Sequence, residues 1–155
     1  MKMPNTIVIR GNPLQNEAPA NGVITPGELL QYTATGSVDQ HAAAGGDGLT
    51  MVAIEESFTG GDIDTTYADG ENVVFVVPAR GDKLYMFLAA GESVTIGDPL
   101  ESDGTGALQA HTAQAVDESG TATYTIHADG LKFYAAETLD NSGGGSRVRI
   151  NVEAA

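Results

Sequence analysis

The chain of 155 residues has no cysteine and no tryptophan, and its 7 lysines and arginines stand against 21 aspartates and glutamates. Without cysteine, neither a disulfide framework nor a thiolate zinc site can form. A formal charge of −14 repels phosphate backbones and anionic lipid. It argues against nucleic acid or a membrane as a direct partner and favours a partner with a basic face. Long apolar runs are missing too. VVFVVPA at 73–79 is among the longest, and it is far too short to span a bilayer. MKMPNTIVIRGNP at the start has no stretch of signal-peptide length, so a soluble chain without Sec export is expected. Helix-favouring blocks are scarce, and the sole helical candidate is a short turn near DIDTTYA, 62–68.

What is present is glycine, 20 residues of it, with abundant threonine and valine, which points to an all-β chain. The chain also repeats itself. GELLQYTATGSVDQHA at 27–42 is echoed by GDPLESDGTGALQAHT at 97–112. Gly27, Leu30, Thr35, Gly36 and His41 lie over Gly97, Leu100, Thr105, Gly106 and His111, with Glu28 over Asp98 and Val38 over Leu108 as near-equivalents. Across 25–41 there are six identities in seventeen positions, where average usage gives about one. LTMVAIE at 49–55 matches LKFYAAE at 131–137 through Leu49/Leu131, Ala53/Ala135 and Glu55/Glu137. GENVVFVV at 70–77 matches GSRVRINV at 145–152, with Val73 over Val148 and Val77 over Val152.

Each unit therefore reads as hairpin, strand, loop, strand. KLYMFLA at 83–89 is expected to bridge the copies, and the second copy carries an insertion with its own strand from Ala122 to His127. Two units that each expose half a hydrophobic face can bury those faces by closing on one another. The expected fold is all-β: a small β-barrel or sandwich of two pseudo-repeated hairpin–strand units, about 25–77 and 95–152, forming a single domain over 25–155. Residues 1–24 are expected to be an N-terminal strand or extended arm. Within them TIVIR at 6–10 reads as a strand, whereas the prolines and asparagines of GNPLQNEAPANG deny it regular structure. Two roles stand open for the strand. Ile7, Val8, Ile9 and Arg10 add to a neighbour's sheet edge, or they complete the protein's own barrel.

No catalytic signature appears: G-x-S-x-G, H-E-x-x-H, G-x-x-x-x-G-K and G-x-G-x-x-G are all absent. No enzyme, cofactor or resident metal is expected. His41 and His111 occupy matching positions, so as symmetry mates they could share a metal, although capping of strand ends is the plainer role; His127 has no partner at ligand spacing. Asp62, Asp64, Asp69 and Glu71 form an acidic loop that lacks the EF-hand spacing and reads as solvated, with a weak calcium site as the alternative. The tyrosines and phenylalanines are scattered along strands, as core filling would require, rather than massed into a sugar platform.

LAAGESVTIGDPLESDGTGALQAHT, 88–112, together with AAETLDNSGGGSRVRINVEA at 135–154 and the earlier LTMVAIEESFTGGDIDTTYADGENVVFVVPARGDKLYMFLA at 49–89, resembles head decoration (capsid cement) proteins of tailed double-stranded DNA bacteriophages over most of the chain from about Gly27 onward. That resemblance implies a non-enzymatic virion component, made in the host cytoplasm, on the outer surface of the capsid. It implies binding to the assembled major capsid protein as a homotrimer, bracing the shell, with no catalytic residues to carry over. A ligand-binding β module of another class, a carbohydrate-binding or adhesin domain with or without calcium, is the alternative expectation.

Overall fold

The computed structural model describes residues 4–112 and 130–155. Its thirteen strands are β1 (Val8–Arg10), β2 (Leu14–Pro19), β3 (Leu29–Tyr32), β4 (Val38–Gln40), β5 (Met51–Ala53), β6 (Asn72–Val77), β7 (Lys83–Leu88), β8 (Ser93–Val94), β9 (Pro99–Ser102), β10 (Leu108–Ala110), β11 (Leu131–Ala135), β12 (Leu139–Asp140) and β13 (Val148–Ala154). Among the described residues there is no helix; within 62–68 a turn at 63–64 precedes an isolated bridge at Tyr67. The all-β expectation holds. The insertion strand expected from Ala122 to His127 lies outside the described residues.

The strands close two rings. In the second, β7, β10, β9, β11 and β13 follow one another and β13 returns to β7, giving a closed five-stranded barrel. In the first, the order β2-β6-β5-β3-β4 is completed by a parallel bridge between Ala20 and Val38. The connections correspond strand for strand: β2 to β7, β3 to β9, β4 to β10, β5 to β11 and β6 to β13. So do the closures. Asn21 N–H donates to the Val38 carbonyl at 2.7 Å, and Ala89 N–H donates to Leu108 at 2.8 Å. His41 N–H to Leu29 is matched by His111 N–H to Pro99, and Gly27 N–H to Ala53 by Gly97 N–H to Ala135. The Ile24–Tyr67 bridge of the first barrel corresponds to the β8–β12 pair, Val94 with Leu139, of the second.

Two repeated units were expected, and two exist, but each closes its own ring rather than half of a shared one. The missing strand of each ring precedes its hairpin. β7 does not bridge the copies; it opens the second barrel, as β2 opens the first. The sequence denied β2 because of its prolines. Pro13 precedes the strand, and Pro19 lies on the edge turned away from β6, so neither removes a ladder bond to β6. The last strand pair also slips by two residues from the sequence match. Ala53 faces Phe75 while Ala135 faces Val152, which places Phe75 over Val152 and Val73 over Ile150. An even slip keeps every side chain on its face.

The interiors are filled by complementary volumes. Ala18, Ala20, Ile24, Leu30, Val38, Met51, Ala53, Val73 and Phe75 line the first barrel. At the corresponding places in the second stand Met86, Leu88, Val94, Leu100, Leu108, Phe133, Ala135, Ile150 and Val152. Where the opening strand carries two alanines, the closing strand supplies Phe75; where it carries Met86 and Leu88, the closing strand needs only Val152. Close packing is thus reached twice with different side chains.

The barrels pack heterologously, outer face of the first against the second. Leu29, Val52 and Val76, from the outer face of the first barrel, join Ile7 and the second barrel's interior in one cluster. The second hairpin's turn docks into the base of the first, since Leu29 N–H donates to Gly106 and Gly106 N–H to His41. A Cβ on Gly106, at φ +80, would sit 3.2 Å from Gln40 Cγ, whereas the corresponding Gly36 faces open space. The contact therefore is not repeated about a twofold axis.

Candidate interaction surface

The junction is held by charge as well as by apolar contact. Glu28, 1% exposed, accepts from Gln40 Nε2 at 2.8 Å and from Thr25 N–H at 2.9 Å, and pairs with Arg147 at 2.5 Å. Arg147 and Arg149 stack on Phe87, at 4.0 and 4.5 Å from the ring centre. Arg149 also pairs with Asp64 and donates to the carbonyls of Pro26 and Ile63. It ties the first barrel's acidic loop to the second barrel's β13.

Of the four residues singled out in the N-terminal strand, Ile7 is fully buried in the junction. Its carbonyl accepts from Tyr85 N–H at 2.8 Å, and its N–H donates to Glu55 at 3.0 Å. Val8 pairs with Leu84 and is half-buried; Ile9, 39% exposed, and Arg10 point outward. The strand is thus paired on its own chain, with two side chains left exposed.

The two matched histidines are not ligands of one site. His41 is buried, its Nδ1 2.8 Å from Ser102 Oγ and its Nε2 3.4 Å from the Asp47 carbonyl. His111 Nδ1 lies 2.5 Å from Glu101 Oε2. Each histidine ends a strand and is held by a neighbour on β9. Burial lowers the His41 pKa below its ordinary value, and the Lys132 ammonium adds to the effect. Unfolded chains take up this proton below about pH 6.5, while the folded chain resists it. Stability from His41 is therefore complete above that pH and falls as pH drops toward the folded value. The thermal midpoint should be lower at pH 5 than at pH 7.5, and His41→Gln should shrink that difference; calorimetry across the range checks it.

In the acidic loop, Asp62 accepts from Asp64 N–H and Thr65 Oγ1, Asp64 meets Arg149, Asp69 accepts from Gly22 N–H and Glu71 from Ala68 N–H. The four carboxylates serve separate partners. Among the described residues no group of three or more such side chains stands together around a metal-sized space. Thr59, Thr65, Thr66, Tyr67 and neighbours line an open cavity of ≈ 350 Å³ beside this loop. Tyr67 Oη donates to the Ile54 carbonyl at 2.6 Å, and burial pushes its pKa up to about 12. Most described aromatics are core: Phe75, Phe133, Tyr67, Tyr85 and Phe87 are buried, while the exposed Tyr32, Phe58 and Tyr134 sit on separate elements.

A feature the sequence displays openly but which needs the fold to interpret is where the charge sits. Residues 14–77, the whole first barrel, contain ten aspartates and glutamates and no lysine or arginine. All seven basic residues lie before it or after it. The first barrel is therefore a uniformly anionic body fastened to a mixed one. Phe58, 96% exposed, projects from it on a turn closed by Gly61 N–H to Glu56 and Phe58 N–H to Glu56 Oε1.

No protein-family model matches this chain, and no curated protein matches it. Among solved structures, the chain is similar to the N base of the head fiber gp8.5 of bacteriophage phi29. The TM-score is 0.52 at 14% identity, covering 92% of this chain and 93% of that one. At that identity the likeness is one of fold.

Proposed function

We propose that this chain is a non-enzymatic structural protein of a phage head, which binds the outer surface of the assembled shell and stabilises it. The observation that carries the proposal is the fold shared along nearly the whole chain with the N base of a phage head fiber. The resemblance of 88–112 and 135–154 to head decoration proteins supports the same role. So does the molecule's build. Two closed barrels locked by a buried junction make a stiff body with few free edges. An anionic first barrel is suited to a basic docking surface on the major capsid protein. A homotrimer on the shell would multiply modest contacts into firm attachment.

Purified protein should bind expanded heads that lack it and should raise the temperature at which they release DNA. Heads that neither bind it at low and moderate salt nor gain thermal resistance would end the proposal. Ile9→Ser with Arg10→Glu should weaken binding several-fold without moving the thermal midpoint, because both side chains are exposed. Unchanged binding would reduce β1 to a clasp within the chain.

A further inference from the structure

The two barrels present the same edge, and only one of them covers it. Along the opening strand of the second barrel, three successive outward amides are used. Tyr85 N–H donates to Ile7, Phe87 N–H to Gly27 and Ala89 N–H to Leu108. The corresponding positions on β2 are Glu17, Pro19 and Asn21. Asn21 N–H closes the ring on Val38. Pro19 has no N–H to offer. Glu17 pairs through β2 with Val74, but its N–H turns away from β6, as does that of Gln15. Residues 14–17 are exposed, and among the described residues no strand lies on this side of them.

We infer that the outer edge of β2 is a docking rail for a short extended segment of a protein partner, bearing lysine or arginine, which adds as a further strand. The chain itself shows what this edge accepts: in the second barrel, β1 lies on the equivalent residues. The charge of the occupant follows from the surroundings. Glu17, Asp39, Asp69 and Glu71 all contact β2, its following turn or the adjoining Asn72 and Ala68, and no cation lies anywhere in residues 14–77. A cationic side chain opposite Glu17 gains from that field, and an anionic one loses. A second copy fits poorly. Its barrel would dock as the first barrel docks on β7, through the donor that Pro19 lacks, and it would bring a like charge of −14. The source of the segment rests on the attachment role proposed above; the rail itself does not.

Two arms test them separately. In the first, a capped octapeptide alternating lysine and valine is titrated into the isotope-labelled protein, with the alternating glutamate–valine peptide as control. Shifts centred on the Gln15 and Glu17 amides, slowed exchange of those two protons and no response to the acidic peptide are expected. Glu17→Pro removes the outward donor at a position where the strand already tolerates a proline two residues on, and should weaken binding at least about fivefold. Glu17→Lys keeps the amide, reverses the charge and should also weaken it. No shift at β2, shifts elsewhere, equal response to both peptides, or self-association through β2 would overturn the rail. In the second arm, Glu17→Pro and the unaltered protein are compared on expanded heads. Binding of both alike would overturn the capsid as the source of the segment and leave the attachment role standing. Binding of neither would end the attachment role, with the peptide arm still deciding the rail.

Discussion

Phe75→Ala should destabilise the protein by about 3–5 kcal/mol, the usual range for a buried phenylalanine truncated to alanine. Phe75 is fully buried in the first barrel, and the strand facing its neighbourhood carries Ala18 and Ala20. Neither alanine can reach into the space the ring leaves, so little of the cavity can collapse. The second barrel supplies the control. Val152 occupies the matching place there, beside Met86 and Leu88, and Val152→Ala should cost less. Phe75→Val combined with Ala20→Leu imitates the second barrel's solution and should recover part of what Phe75→Val alone loses. Chemical unfolding of the four variants decides the matter. A double variant no more stable than Phe75→Val alone would mean that the two interiors do not share one packing plan.

Leu29→Ala should cost about 2–5 kcal/mol and should also change the character of unfolding. Leu29 is fully buried, but it faces the second barrel rather than its own interior, and its N–H donates to Gly106. Truncation leaves the first barrel's interior intact and weakens its packing against the second. The unaltered protein is expected to unfold in one transition, because Leu29, Val52, Val76, Ile7 and the Glu28–Arg147 pair must all part together. With Leu29→Ala, fluorescence and calorimetric transitions should separate, the first barrel's melting differing from the second's. A single, merely shifted transition would show that the barrels do not melt as distinguishable units.

The hairpins were legible because their signal is local. Leu30 over Leu100, Gly36 over Gly106 and His41 over His111 mark the same turn twice, and the structure places both hairpins where the repeat does. The all-β class followed from composition for the same reason. Ring closure was not legible. Each ring shuts through a parallel bridge at one residue pair, Ala20 with Val38 and Leu88 with Leu108, and such a contact leaves no periodicity in the sequence. β2 was hidden by its prolines, which disqualify a central strand but not one with an open edge. The slip between β6 and β13 escaped because valines on one face invite a match two residues out of place. The heterologous junction could not be read at all, since Leu29, Val52 and Val76 look in sequence like any strand's second apolar face. The anionic first barrel was countable from the start, but its boundaries came only with the fold.

Everything rests on two contiguous segments each closing a ring of the same connectivity. Scalar couplings across hydrogen bonds report this directly, from Asn21 nitrogen to the Val38 carbonyl carbon and from Ala89 nitrogen to that of Leu108. Both couplings should be present in the folded protein. Their absence, with β2 found paired instead to a strand of residues 83–154, would contradict the two-barrel architecture.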